Sequence, residues 1–247
     1  MDYINAIIIG IVQSITEWLP VSSSAHIAIA ARILDVNIDL WYIAVLHLAT
    51  VISFLLYFRK DIISYYIDTE QKKLTKKAYI IILASIPIFI VGYFFHDIIE
   101  RMFTDFPIIG IALIINGLIL LSTKYFKLNK DLNIKKGIGI GIMQMFALIP
   151  GISRSGITVS SAHFTGLNHK EVVMFPMMLS LPAISGAVFY KLITSPFNMN
   201  LPMFIGFIVT IIFGYYALSI LVKNIKKGLF YKYWSYCVIL GFILLFN

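Results

Sequence analysis

Two short polar stretches interrupt an otherwise apolar sequence. Residues 13–26 carry a carboxylate at Glu17, a run of serines and an imidazole at His26. Residues 150–158 carry the guanidinium of Arg154 between serines and glycines. Ionisable groups are costly at membrane depth, so they usually mark a functional site there. We expect the two stretches to meet and to form one site that handles phosphate.

The second stretch has the composition of an anion site. Gly151 allows a close approach of the backbone to a ligand, and a helix that starts near Ser155 offers free N–H groups. Arg154 adds a fork of donors that suits phosphate oxygens. Ser153 and Thr158 supply further hydroxyl donors. The alternative is a helix cap whose arginine reaches the membrane surface, but Arg154 lies far from the ends of its apolar segment.

The first stretch supplies the acid and the base that the second stretch lacks. Glu17 is a candidate ligand for a divalent cation (Mg²⁺ or Ca²⁺) or a candidate acid/base, and it follows Gln13 by one helical turn. His26 is a candidate base, acid or nucleophile, and the alternative is a core histidine satisfied by a backbone carbonyl. The candidate nucleophilic or phosphate-binding hydroxyls of this stretch belong to Ser22, Ser23 and Ser24.

Four further ionisable side chains receive other interpretations. His47, in the first long apolar run, is expected to be a structural hydrogen-bonding partner. Glu171, His163 and His169 lie near a link between apolar runs, so we expect them at the membrane interface.

The composition indicates a membrane protein. Of the 247 residues, 60% are hydrophobic and 13% are charged, whereas soluble proteins have about 25% charged residues. The net charge of +8 comes with lysines in short links between apolar runs, a pattern that fits anionic lipid headgroups rather than nucleic acid. The lone Cys237 excludes an intramolecular disulfide and a cysteine metal cluster. We expect a single membrane domain, residues 1–247, with membrane lipids as partners and no organic cofactor. The sequence leaves oligomerisation open.

The apolar runs predict an all-α integral membrane protein with six transmembrane helices and two re-entrant helical hairpins. The hairpins are residues 1–35 and 137–165, each broken near its middle. Non-helical backbone at membrane depth requires surrounding protein or a water-filled cavity. A hairpin that lies on the membrane surface is the alternative for residues 1–35. The six predicted spans are residues 40–58, 78–95, 107–124, 171–190, 202–222 and 233–247.

The distribution of lysines predicts the side of each link. The Lys-rich links at 59–77, 124–136 and 223–232 are expected in the cytoplasm, and the Lys-poor links at 96–106 and 192–201 are expected outside. Six spans and two re-entrant hairpins satisfy all of these links and place both termini outside.

The two halves of the chain show a weak internal repeat. Repeat one covers about residues 1–124 and repeat two about residues 132–247, and each opens with a broken segment followed by three spans. The copies enter the membrane from opposite sides, which is typical of inverted-topology repeats with a site at their junction. A shift of 131 residues aligns Gly10 with Gly141, Ile11 with Ile142, Gln13 with Gln144, Ser22 with Ser153 and Ser24 with Ser155.

The two polar stretches resemble the motifs of the undecaprenyl-diphosphatase family of integral membrane phosphatases, also called the bacitracin-resistance family. The (Glu/Gln)-x-x-x-Glu motif appears as Gln13 to Glu17 and continues to His26, and the Pro-Gly-x-Ser-Arg-Ser-x-x-Thr motif appears as Pro150 to Thr158. The resemblance implies two inverted repeats, each with a re-entrant hairpin. It also implies hydrolysis of a polyprenyl diphosphate to the monophosphate, at a site on the extracytoplasmic side of the cell membrane.

The resemblance also implies roles for individual residues. Glu17, His26 and Arg154 are the central three, and Gln13 takes a motif position that is often Glu in the family. Ser23, Ser153, Ser155 and Thr158 line the phosphate site, and the remaining residues predicted to bind the substrate are Ser22, Ser24 and Gly151.

Three nucleophiles remain open at this point. Ser23 assisted by His26, His26 itself, or water is a candidate to attack the terminal phosphorus. The competing function is a polyprenyl-phosphate transporter or flippase, because inverted repeats with broken helices are also a transporter architecture. A structural scaffold is a third interpretation, but it leaves the two charged stretches unexplained.

Overall fold

Helices make up almost the whole of the protein. The computed structural model describes residues 1–38, 40–194 and 199–246. Over these residues the helices are α1 (Tyr3–Trp18), α2 (Ser23–Ile33), α3 (Leu40–Tyr57), α4 (Arg59–Tyr66), α5 (Lys76–Phe94), α6 (His96–Met102), α7 (Phe106–Ser122), α8 (Ile134–Gln144), α9 (Arg154–Phe164), α10 (Glu171–Thr194), α11 (Leu201–Lys226) and α12 (Trp234–Leu245). Short 3-10 turns occupy Thr123–Tyr125, Met145–Leu148 and Phe230–Tyr233, and the strands β1 (Ile67–Asp68) and β2 (Lys73–Leu74) pair antiparallel.

Several helices have the length and composition of membrane spans. In the described ranges, α5, α7, α10 and α11 qualify, and α3 with α4 forms a further span if the 85° bend between them is a break within one crossing. The protein is therefore an all-α, multi-pass membrane protein. The predicted last span, 233–247, contains α12 of only 12 residues, whereas a crossing takes about 20. Part of the predicted outer link 192–201, residues 195–198, lies outside the described residues.

Proline and serine set the break between α1 and α2. Pro20 disfavours helical backbone at the residue before it, and Leu19 is accordingly extended where α1 ends. Ser22 has a positive φ of 71° and caps α2, because its hydroxyl accepts a hydrogen bond from the N–H of Ala25. The predicted break at Leu19-Pro20 and the serine run is confirmed.

The second break repeats this local chemistry. Pro150 follows the extended residue Ile149, and Ser153 caps α9 by accepting a hydrogen bond from the N–H of Gly156 at 3.1 Å. The helix starts at Arg154, one residue before the predicted position. Its N-terminal turn therefore lies at the break, next to the serines and the guanidinium.

The elements of the two halves coincide under the shift of 131 residues. α2 and α9 coincide at both ends, and the first residues of α1 and α3 coincide with those of α8 and α10. The two serine caps, Ser22 and Ser153, also coincide, as do the backbone groups that they accept from. The similarity is therefore greater in helix boundaries than in residue identities.

The last helices of the two halves, α7 and α12, approach each other closely at two glycines. A Cβ atom on Gly110 would lie 2.7 Å from the carbonyl oxygen of Gly241, and a Cβ on Gly241 would lie 2.6 Å from that of Gly110. Small residues at helix crossings permit such backbone proximity in membrane proteins. The same shift relates Gly110 to Gly241, so the contact joins equivalent positions of the two halves.

Two ion pairs join other segments of the chain to the two ends of α10. Lys77, at the start of α5, pairs with Glu171 at the start of α10. At the other end of α10, Lys191 pairs with Glu100 of the link at 96–106. The links predicted to lie on opposite sides therefore contact opposite ends of α10.

Two of the side chains expected at the interface are buried in protein. Glu171 is 4% exposed and accepts a hydrogen bond from the hydroxyl of Tyr65 at 2.6 Å. His163 is also buried, and its ring stacks on Phe230. His169 is exposed. Position near the end of an apolar run does not determine whether a side chain turns towards a neighbouring helix, so the burial of these two side chains in protein was not predictable from the sequence.

The glycine contact between α7 and α12 is directly testable. We expect Gly110→Ala to lower the free energy of unfolding by about 1–3 kcal/mol, because the added methyl group meets a backbone oxygen that cannot move alone. Gly139→Ala is the matched control, since a Cβ at this helical position meets nothing within 4 Å. Thermal unfolding in a neutral detergent measures both. Equal midpoints for the two variants would exclude the close packing described here.

Candidate active site

The carboxylate of Glu17 is the centre of the polar site. Glu17 lies near the end of α1 and is 6% exposed. Its Oε1 forms an ion pair with Nη2 of Arg154. Its Oε2 accepts hydrogen bonds from Oγ of Ser23 at 2.6 Å and from Nε2 of Gln13 at 3.2 Å. The expected meeting of the two polar stretches is confirmed by this ion pair.

The guanidinium of Arg154 is held on both sides. Nη2 faces Glu17, and Nη1 donates to the carbonyl oxygen of Ser180 in α10 at 3.2 Å. The alternative in which Arg154 reaches the membrane surface is wrong, because the side chain is directed into the protein and is 15% exposed. Removal of one partner from a buried ion pair leaves an uncompensated charge, so each residue depends on the other.

Two serines of the first break bind the backbone of the second. The N–H of Gly151 donates to Oγ of Ser22 at 3.2 Å and to Oγ of Ser24 at 3.3 Å. Gly151 has a φ of 103°, and a Cβ there would lie 2.5 Å from the carbonyl oxygen of Ile109. Only glycine fits this position, because the backbone conformation and the space both exclude a side chain.

The hydroxyls of the second stretch have different partners. Oγ of Ser153 lies 3.1 Å from Oγ of Ser155, which keeps this pair together at the start of α9. Thr158 is fully buried, and its hydroxyl donates to the carbonyl oxygen of Arg154 at 2.7 Å. The structure therefore brings the two serines to the break, whereas the Thr158 hydroxyl bonds to its own helix.

Asn116 links the two breaks and was missed by the sequence reasoning. This side chain of α7 is 0% exposed. Its Nδ2 donates to the carbonyl oxygen of Pro20 at 2.9 Å, and its Oδ1 accepts from the N–H of Ser153 at 3.1 Å. A lone amide in an apolar run was the available signal, since buried polar groups at membrane depth need partners. Asn116 fixes the distance between the backbones that carry Ser23 and Arg154.

His26 is at the edge of the site rather than against Ser23. Its Nδ1 lies 2.7 Å from the carbonyl oxygen of Ser22, and its Nε2 lies 2.6 Å from the hydroxyl of Tyr236 in α12. The rings of His26 and Tyr236 also stack. Both ring nitrogens are thus engaged, so the expected pairing of His26 with Ser23 is absent from the described residues, and Ser23 pairs with Glu17 instead.

His47 is closer to the site than the sequence indicated. Its Nε2 lies 3.4 Å from Oε2 of Glu17, and its Nδ1 lies 2.8 Å from the carbonyl oxygen of Ile43. The backbone contact fixes the ring against α3, and the other nitrogen faces the carboxylate. His47 is therefore a hydrogen-bonding partner as expected, and its partner is the central acid.

The described residues offer a limited set of ligands for a cation. Among them, no group of three or more His, Cys, Asp and Glu side chains is placed to hold a metal ion. The amide nitrogen of Gln13 bonds to Glu17. The buried Oε1 of the same amide has no hydrogen-bond partner among the described residues. Mg²⁺ is often bound by one or two carboxylates together with substrate phosphates and water. Glu17 and Gln13 fit a cation that arrives with such a substrate.

The bridging role of Asn116 predicts a large loss of stability on substitution. Asn116→Leu leaves the carbonyl of Pro20 and the N–H of Ser153 without their partner, and each buried unpaired group costs about 1–3 kcal/mol. Asn224→Leu is the control, because the Asn224 amide donates to the half-buried hydroxyl of Tyr233 at the edge of the protein. We expect thermal unfolding to show a clearly lower midpoint for Asn116→Leu. A midpoint equal to that of the control would contradict the bridge.

Comparison with known proteins identifies the family. Residues 6–243 match the family described as Bacitracin resistance protein BacA. A protein of Elusimicrobium minutum named undecaprenyl-diphosphatase is 36% identical to the chain, with 99% of this chain and 98% of the relative covered. Relatives of the same name from Carboxydothermus hydrogenoformans and Korarchaeum cryptofilum are 35% and 30% identical, with 99% of this chain and 97% and 99% of the relatives covered. The chain that holds Glu17 against Arg154 belongs to the bacitracin-resistance family.

Proposed function

We propose that the protein is a membrane phosphatase that hydrolyses a polyprenyl diphosphate of the undecaprenyl type to the monophosphate and inorganic phosphate. This activity returns a lipid carrier to cell-envelope or glycan synthesis. The observation that carries the proposal is the contact of Glu17 with Arg154 across two helix breaks, with Ser23 bonded to the same carboxylate. Relatives that match this chain over nearly their whole length are named undecaprenyl-diphosphatase, which supports the same reaction.

The proposed topology has six spans, two re-entrant hairpins and two inverted repeats. The coincidence of helix boundaries between the two halves supports the repeats, and the contact of equivalent glycines in α7 and α12 supports an axis between them. The lysine distribution supports the sides of the links. We place the protein in the cell membrane with its site facing outward, as expected for the family, and the prenyl chain of the substrate among the lipid-facing helices.

Arg154 and the first turn of α9 provide the phosphate-binding groups. The N–H groups of Arg154 and Ser155 have no acceptor within the helix because they belong to its first turn. The guanidinium offers a fork of donors to phosphate oxygens and is already oriented by Ser180. These donors stabilise the negative charge that develops on the transferring phosphoryl group.

Ser23 is the nucleophile that the geometry favours. Its hydroxyl donates to Oε2 of Glu17 at 2.6 Å, so the carboxylate is placed to take the proton as the oxygen attacks the terminal phosphorus. The bond from that phosphorus to the bridging oxygen breaks, and the polyprenyl monophosphate leaves. Water then hydrolyses the phosphoserine and regenerates the hydroxyl. His26, anchored by Tyr236, is the proposed proton carrier at the edge of the site.

A divalent cation is part of the proposal. Glu17 and Oε1 of Gln13, which has no hydrogen-bond partner among the described residues, would hold it together with phosphate oxygens of the substrate. When bound, the cation would help to neutralise the negative charge of the substrate phosphates. Gln13 keeps the carboxylate of Glu17 oriented through its amide nitrogen.

Loss of Arg154 tests the site. We expect Arg154→Ala to reduce phosphate release from a polyprenyl diphosphate in detergent by about 10²–10³-fold, because a donor to the transition state is removed. Arg32→Ala is the control, since the exposed Arg32 lies over the ring of Phe106 outside the site. Each protein is assayed with and without a chelator, which tests the cation. Near-normal turnover of Arg154→Ala would contradict the assignment, and binding without hydrolysis by the wild type would favour a carrier.

Trapping of a phosphoenzyme tests the nucleophile. We expect rapid acid quenching of the reaction with labelled substrate to leave phosphate on Ser23, and Ser23→Ala to abolish the label. Ser24→Ala is the control, because Oγ of Ser24 contacts Gly151 and Ser22 rather than the carboxylate. A label that is lost in the acid quench but kept in a parallel alkaline quench would identify His26 as the nucleophile. The absence of a label under both conditions would indicate direct attack by water.

A further inference from the structure

A cavity lined mainly by polar and charged residues lies away from the Glu17 site, where α4 and the starts of α5 and α10 meet. It has a volume of about 360 Å³. Its lining residues are Asp61, Ser64, Tyr65, Thr75, Lys76, Lys77, Lys170 and Met174. The proposed phosphatase mechanism uses none of these side chains.

At the floor of the cavity the charge of Lys77 is already neutralised, and the side chains form a connected set of contacts. The amine of Lys77 pairs with the buried carboxylate of Glu171 and lies 4.8 Å from the centre of the Tyr65 ring. The Tyr65 hydroxyl donates to the other oxygen of that carboxylate at 2.6 Å. Thr75 donates to the backbone carbonyl of Tyr65 at 2.6 Å, which ties the start of α5 to the end of α4.

The rim of the cavity carries positive charge. Lys76 and Lys170, at the starts of α5 and α10, are exposed and have no ion pair among the described residues. The carboxylate of Asp61 also lines the cavity. The positive charges of the three lysines of the lining exceed the negative charges of Asp61 and Glu171 by one, so the net charge is +1. An anion with a single negative charge would neutralise the cavity.

The cavity lies at the level expected for lipid headgroups. α4 bends away from the apolar helix α3 by 85°, as a helix does when it turns from a span into the interface. Under the proposed topology this end of the protein faces the cytoplasm. Basic pockets between transmembrane helices on this side are suited to anionic headgroups.

We propose that this cavity is a binding site for a phosphate anion of single charge, supplied by the phosphodiester headgroup of an anionic membrane lipid. Lys76 and Lys170 bind the phosphate oxygens from two sides. The Glu171, Lys77 and Tyr65 cluster keeps the two helix starts at a fixed separation. Free inorganic phosphate shares the same chemistry and is the other source that the experiment distinguishes.

The test compares two double variants that remove the same charge. Lys76→Gln with Lys170→Gln removes both positive charges of the rim and leaves the ion pair of Lys77 with Glu171 intact. Lys60→Gln with Lys73→Gln removes two exposed lysines of the neighbouring link that do not line the cavity. Each protein is reconstituted in phosphatidylcholine nanodiscs with increasing phosphatidylglycerol, and its thermal midpoint and the phosphatidylglycerol retained after detergent extraction are measured.

We expect phosphatidylglycerol to raise the midpoint of the wild type. The rim variant is expected to need about 30-fold more of this lipid, because each of the two lysines contributes about 1 kcal/mol. The control variant is expected to shift by no more than a few-fold. A parallel titration in neutral detergent uses inorganic phosphate against chloride at equal ionic strength. Protection by inorganic phosphate alone, lost in the rim variant, would identify a soluble anion as the occupant.

Equal behaviour of the rim and control variants in both titrations would overturn the proposal. Equal midpoints in neutral detergent without phosphate confirm that the variants fold. If the double rim variant does not fold, the single change Lys170→Gln at an exposed position carries the test. The outcome does not depend on phosphate release, so failure here leaves the proposed phosphatase activity intact.

Discussion

The ion pair between Glu17 and Arg154 is the interaction on which the arrangement of the two broken segments depends. Both groups are buried, and neither is stable there without the other. The pair therefore constrains the helix ends that carry it, α1 on one side and α9 on the other. Ser180 is a further partner of Arg154, and Gln13, Ser23 and His47 are further partners of Glu17. A site for a highly charged substrate is thus preassembled around a charge pair of the protein itself.

Local chemistry explains how the backbone reaches this arrangement. A proline follows the end of α1, another follows the 3-10 turn that continues α8, and a serine cap starts each second half-helix. These signals lie within a few residues of each other, so the sequence predicted both breaks and most helix boundaries. The meeting of Glu17 with Arg154 was also predictable, because isolated charges in apolar segments need partners.

The contributions of other helices were not predictable in the same way. Asn116, His47 and Tyr236 each come from a different apolar helix, and no local spacing relates them to the breaks. Their positions follow from packing of distant segments. The separation of His26 from Ser23 has the same origin, because Tyr236 of α12 occupies the ring nitrogen that faces away from Ser22. The short α12 likewise shows that apolar composition alone does not fix the length of a helix.

The two glutamines at equivalent positions have different surroundings. Gln13 donates to Glu17, whereas the amide of Gln144 is buried without a hydrogen-bond partner in the described chain. The residue equivalent to Glu17 in the second half is Leu148. The second half thus keeps an amide but has no acid beside it. If the two halves descend from one ancestral unit and have the proposed inverted topology, the half that retained its carboxylate determines the side of the bilayer from which the substrate is reached. The same scaffold with the acid in the second half would then act from the opposite side.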